Sequence, residues 1–83
     1  MLTIDDAVER AKSDLAASLG IEADEILIIE KEEAMWPDTS LGMPEPGMAY
    51  AQMLTCGFRV VLEAKGKRYE YHFAENMVKK RMA

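Results

Sequence analysis

An α+β fold, with an N-terminal helix packed on a three- or four-stranded antiparallel sheet, is predicted by three stretches of the sequence. Ile4, Val8, Ala11, Leu15 and Leu19 recur at helical spacing, Ile26-Leu27-Ile28-Ile29 is a short, mostly β-branched apolar run, and two alternating segments flank Lys65-Gly66. At 83 residues, 49% hydrophobic and 30% charged, the chain predicts one domain over residues 1–83 with a single modest core, and it is too apolar to stay disordered.

The helix starts near Ile4. Thr3 supplies an N-cap hydroxyl and Asp6 the acid of a capping box, each serving an amide the helix leaves free. Asp5, Asp6 and Glu9 suit the positive end of the helix dipole, and Gly20 follows Leu19 where a left-handed residue is wanted. Residues 25–34 read as a strand, buried at Ile26-Leu27-Ile28-Ile29 and leaving the core at Glu30, Lys31, Glu32 and Glu33.

Phe58, Val60 and Leu62 alternate with Arg59, Val61 and Glu63, and Tyr69, Tyr71 and Phe73 alternate with Arg68, Glu70 and His72. A two-residue turn at Lys65-Gly66 sets Leu62 against Tyr69, Val60 against Tyr71, Phe58 against Phe73 and Glu63 against Arg68. A slip of one residue would turn all three aromatic side chains to the other face, so this register is the consistent one. Residues 50–55 read as a further strand, with Cys56-Gly57 either a tight turn or a bulge in one long strand. Residues 74–83 add a helical turn or fray.

Composition excludes several functions. No apolar run approaches the roughly 18 residues of a membrane helix. The start of the chain lacks the basic and apolar regions of a secretory signal, which predicts a cytoplasmic protein or an exported domain separated from its leader. The single cysteine, Cys56, allows no internal disulfide. The net charge of -5 repels phosphate backbones, so nucleic acid is not an expected partner, and Lys79-Lys80-Arg81 reads as a solvated terminus.

All three prolines fall within residues 36–47, Trp-Pro-Asp-Thr-Ser-Leu-Gly-Met-Pro-Glu-Pro-Gly. Proline removes backbone freedom and donors, so a connector this long and this stiffened is expected to hold one shape. Its candidate binding residues are Trp36, Pro37, Asp38, Ser40, Leu41, Gly42, Pro44, Pro46 and Gly47. Trp36, Leu41 and Met43 either anchor the loop to the body or present apolar surface to a protein partner.

The pattern W-P-D-x-S-L-G-x-P-x-P-G, followed by Gly57-Phe58-Arg59-Val60 and Tyr69-x-Tyr71-His72, resembles a small domain of uncharacterised prokaryotic proteins. That resemblance covers residues 36–72 and implies the fold without an activity. More distantly, a helix followed by antiparallel strands resembles the PepSY group of exported domains, which implies peptidase inhibition as one form of binding.

Catalytic and metal readings are weaker. A nucleophile with an oriented base can be written with Ser40 or Cys56, His72 and Asp38, but the spacing matches no known signature. Met35, Met43, Met48, Met53, Cys56 and His72 are ligands that suit copper(I), yet methionine also fills gaps in small cores. One cysteine and one histidine fall short of a zinc set. Glu30, Glu32 and Glu33 read as a solvated face, and Gly42 and Gly47 make no phosphate loop. The expectation is a non-enzymatic protein-interaction module without a cofactor, contacting its partner through the loop or an exposed strand edge.

Overall fold

A computed structural model describes residues 1–82. The order of elements is α1 (Ile4–Leu19), a 3-10 turn (Ala23–Glu25), β1 (Leu27–Trp36), β2 (Thr55–Ala64), β3 (Lys67–Ala74) and β4 (Met77–Met82). The four strands form one antiparallel sheet in the order β1-β2-β3-β4, the α+β architecture that the sequence predicts.

The capping box is formed. Thr3 Oγ1 accepts from the Asp6 amide at 3.1 Å, Asp6 Oδ2 accepts from the Thr3 amide at 3.1 Å, and Gly20 closes the helix at φ 66°. Ala7, Val8, Ala11 and Leu15 are buried against Val60, Leu62, Tyr71 and Phe73 of the central strands. β2 and β3 pair in the predicted register, Leu62 with Tyr69, Val60 with Tyr71, Phe58 with Phe73 and Glu63 with Arg68. Lys65 and Gly66 sit at φ 55° and 76°, the left-handed pair that a two-residue hairpin turn of matching twist requires.

Four expectations are corrected. Residues 50–55 are not a strand before Thr55, and Cys56-Gly57 is neither turn nor bulge: both lie inside β2, paired with Met35 and Ala34 of β1. A strand has only two edges, and β1 and β3 already occupy those of β2, so residues 50–55 cannot form a hairpin with the strand that follows them. The strand expected at residues 25–34 runs instead over Leu27–Trp36, with residues 23–25 in the 3-10 turn. Of its apolar run only Ile26 is buried, because β1 is an edge strand and Leu27 and Ile28 stand largely in solvent. Residues 77–82 form β4 on the free edge of β3, not a helical turn, while Ala83 lies outside the described residues. His72, which the alternation sets on one face with the charged Arg68 and Glu70, is buried.

The ladder is irregular in β1, between Ile28 and Glu30. An inserted residue shifts every later side chain to the opposite face. Ile28 stands opposite Leu62 on the face that α1 covers, whereas Glu30 stands opposite Val61 and Glu32 opposite Arg59 on the other face. Continued alternation carries Ala34 and Trp36 to that second face. Without the bulge the indole would enter the helix side of the sheet, and the second face would lack its anchor.

Candidate functional site

The loop of residues 37–54 leaves the end of β1 and lies over the face of the sheet opposite α1. Trp36 anchors it. The indole stacks on His72 of β3 with ring centroids 4.2 Å apart and planes 19° apart, and its Nε1–H donates to the Phe73 carbonyl at 2.9 Å. Leu41, with no exposed surface, packs with Trp36 and Ala74 in a second, smaller core. It reaches this place at φ 54°, a left-handed conformation disfavoured for a side chain that is not glycine. That conformation aims its carbonyl at His72 Nδ1, 2.5 Å away.

Beneath the indole lies a buried polar chain. A carbonyl oxygen only accepts, so His72 Nδ1 donates to Leu41, while Nε2 faces Glu70 Oε2 at 2.5 Å. Arg59 Nε donates to the same carboxylate oxygen at 3.0 Å, and Arg59 Nη1 reaches Glu30 and Glu32 at 3.4 and 3.5 Å. Burial alone would push the Glu70 carboxyl up. Its bonds to His72 and Arg59 outweigh burial and hold it below the ordinary glutamate value of 4.5.

The loop is also tied along its length. Asp38 Oδ1 accepts from the Ser40 amide at 2.9 Å and from Ser40 Oγ, and these two bonds lower the Asp38 pKa. Thr39 and Ala51 exchange bonds at 3.0 Å, joining the outgoing and returning limbs. Lys79 of β4 donates to the Met43 carbonyl at 3.3 Å and to the Tyr50 hydroxyl at 3.1 Å. Thus the loop is fastened to β1, β3 and β4.

The residues singled out in the sequence divide into two sets. Trp36, Ser40 and Leu41, with Met43, point inward and are buried; Pro37, Gly42, Pro44, Pro46 and Gly47 lie on the outside, with Asp38 between. Ser40 and Cys56 are not brought to His72. Among the described residues both ring nitrogens of His72 bond to Leu41 and Glu70, Ser40 Oγ bonds to Asp38, and Cys56 is exposed. No three of the His, Cys, Asp and Glu side chains among the described residues group as a metal site.

Three features escaped the sequence reading. Arg59, Glu70 and His72 share one face in the predicted register, and that pattern was a legible signal for the polar chain. Met48, Met53 and Leu54 are exposed; reading residues 50–55 as strand hid Met53 and Leu54, and nothing in the sequence marked Met48 as exposed. A groove of about 640 Å³ lies between α1 and β4, its floor made by Tyr71 and Phe73. Asp14 crosses it, accepting from Tyr71 at 2.7 Å and from Lys80 at 2.6 Å, with its pKa lowered by both, Lys80 foremost.

The sign of Glu70's contribution to stability follows from its depressed pKa. The unfolded chain binds the proton more readily than the folded one, so the stabilisation is fully present above the ordinary glutamate range and is lost as pH falls through the folded pKa. Glu70→Gln is expected to cost about 2 kcal/mol at neutral pH, as for a hydrogen bond to a charged group. Urea titrations of both proteins from pH 7 downward should show that gap closing below pH 4.5. A gap constant with pH would mean that the Glu70 charge contributes nothing.

Fold and site together define a small α+β domain whose antiparallel sheet is covered by a helix on one face and by a pinned, proline-rich loop on the other. The sequence pattern of a domain of unknown function (DUF8738) matches residues 8–81, and the chain belongs to that family. No curated protein and no solved structure matches it. Among the described residues no helix is long and apolar enough to cross a membrane.

Proposed function

We propose that residues 1–83 act as one non-enzymatic protein-interaction domain. Its contact surface is the outer side of the pinned loop: Pro37, Asp38, Gly42, Pro44, Pro46 and Gly47 with Met48, Met53 and Leu54. One contrast supports this reading. The loop backbone is bonded to His72 of β3 and Lys79 of β4, yet Met48, Met53 and Leu54 expose 59%, 59% and 71% of their surface. A surface already held in shape loses little entropy on binding, and methionine adapts to the relief of a partner. Trp36, Ser40 and Leu41 serve the surface from below as its anchors.

The test is the triple substitution Met48→Ser, Met53→Ser and Leu54→Ser, in a protein whose circular dichroism and melting temperature match the parent. Affinity capture with the parent should retain a protein that the variant binds at least about tenfold more weakly, as expected when exposed apolar anchors are removed. A panel of peptidases assayed with both proteins examines inhibition as one form of the contact. Equal capture and equal behaviour toward the peptidases would remove the loop surface from consideration.

A further inference from the structure

We propose that two copies of the chain pair through β1, antiparallel across a two-fold axis at Glu32, joining two four-stranded sheets into one. The strand order leaves β1 and β4 as the edges of the sheet, and an open edge displays unpaired amides and carbonyls. β4 is guarded. Its Lys79, Lys80 and Arg81 are all cationic, and an axis at Lys79 or Lys80 would set cation against cation. They are also engaged within the chain, with Glu45, Asp14 and Glu70 respectively.

β1 differs in length, charge and pairing. It runs ten residues, its bulge lies near one end, and residues 30–36 pair regularly with β2. Its four central charges have both signs. Glu30 and Glu32 are engaged by Arg59, but Lys31 and Glu33, side by side on the opposite face, have no ion-pair partner among the described residues.

A two-fold axis perpendicular to a sheet keeps each face on its own side, so it must pass where a residue meets its own copy. At Glu32 the geometry sets Lys31 opposite Glu33 of the second copy, twice, and Glu30 opposite Ala34. At the ends, Ile29 then meets Met35 of the second copy on the face that carries Lys31 and Glu33. Met35 is 57% exposed in the single chain. The strand is thus self-complementary, apolar at each end and oppositely charged about its centre. The two Glu32 carboxylates that meet at the axis each keep Arg59 at 3.5 Å. Moving the axis by one residue sets Lys31 against Lys31 or Glu33 against Glu33, and loses both attractive pairs. Closed two-fold pairing also avoids the open-ended growth of a β1-to-β4 contact.

Sedimentation velocity over a dilution series reads the assembly. The parent should populate a dimer. Lys31→Glu and Glu33→Lys each turn two attractive cross-strand pairs into repulsive ones and should weaken dimerisation at least about tenfold. The double variant Lys31→Glu/Glu33→Lys restores opposite signs and should dimerise like the parent. An equimolar mixture of the two single variants should form a heterodimer. Both side chains are exposed, so matching circular dichroism checks that the fold is unchanged. The proposal is overturned by a parent that stays monomeric throughout, by a dimer indifferent to the single variants, by a double variant that does not recover, or by assemblies that grow past the dimer with concentration.

Discussion

Gly57→Ala is expected to destabilise the chain severely. A Cβ at this position would lie 1.7 Å from the carbonyl oxygen of Phe73 and 2.8 Å from its carbonyl carbon, both backbone atoms of the neighbouring strand. It would also lie 3.0 Å from Trp36 Nε1, the atom that donates to that same carbonyl. No rotamer relieves an overlap with backbone, so β2 and β3 would have to part at the end of their ladder, where Gly57 pairs with Ala74. The cost should exceed about 4 kcal/mol, between a third and the whole of the roughly 4–12 kcal/mol expected for a chain of this size. Gly66→Ala provides the contrast. Gly66 has open space where a Cβ would go but sits at φ 76°, so its substitution meets only the left-handed penalty of about 1 kcal/mol. Urea unfolding followed by circular dichroism ranks the two. If Gly57→Ala falls within about 1 kcal/mol of Gly66→Ala, the close approach of β2 to β3 is not a requirement of the fold.

Gly57 also shows why part of this molecule could be read from its sequence and part could not. The helix and the central hairpin rest on local signals, Thr3 with Asp6 at one end and Lys65-Gly66 between two alternating runs, and each is bounded by residues a few positions away. A glycine next to an alternating strand has three uses: a turn, a bulge, or a place where another group comes close. Choosing among them requires knowing that Trp36, far away in sequence, crosses β2 to reach Phe73. The bulge at Ile29 was hidden for a similar reason. A β-branched apolar run carries no mark of the inserted residue, yet that residue decides which face Trp36 enters. Residues 77–82 carry three consecutive cations and read as solvated chain, and only the free edge of β3 makes them a strand. For the loop, the proline pattern announced a fixed shape, but whether Trp36 and Leu41 point in or out depends on the space that His72 and Ala74 leave on the second face.

Trp36→Ala should cost about 3–5 kcal/mol, the range for removing a large buried aromatic side chain. Its effect should be greatest on the loop. The indole is the floor on which Leu41 packs, the ring stacked on His72, and the donor to a buried carbonyl, so its removal opens a cavity and leaves the Phe73 oxygen without that partner. Trp36→Phe separates these roles, since it keeps a ring over His72 and loses only the donor, for an expected cost of about 1–2 kcal/mol. Amide exchange places the loss in the structure. In Trp36→Ala the Leu41 and Met43 amides, which donate to Asp38 and Ser40 within the loop, should exchange far faster, while those of the β2-β3 ladder keep most of their relative protection. If the loop amides of Trp36→Ala remain as protected as the parent's, the indole does not set the loop. A second consequence links anchor to surface. Because Trp36 is only 8% exposed, a partner that contacts Met48, Met53 and Leu54 has little of the indole to touch. Loss of capture by folded Trp36→Ala would therefore mean that binding requires the shape of the loop and not merely its side chains. Undiminished capture by that variant would mean that the apolar side chains bind as flexible chain, and would remove the reason for so much buried polar structure beneath them.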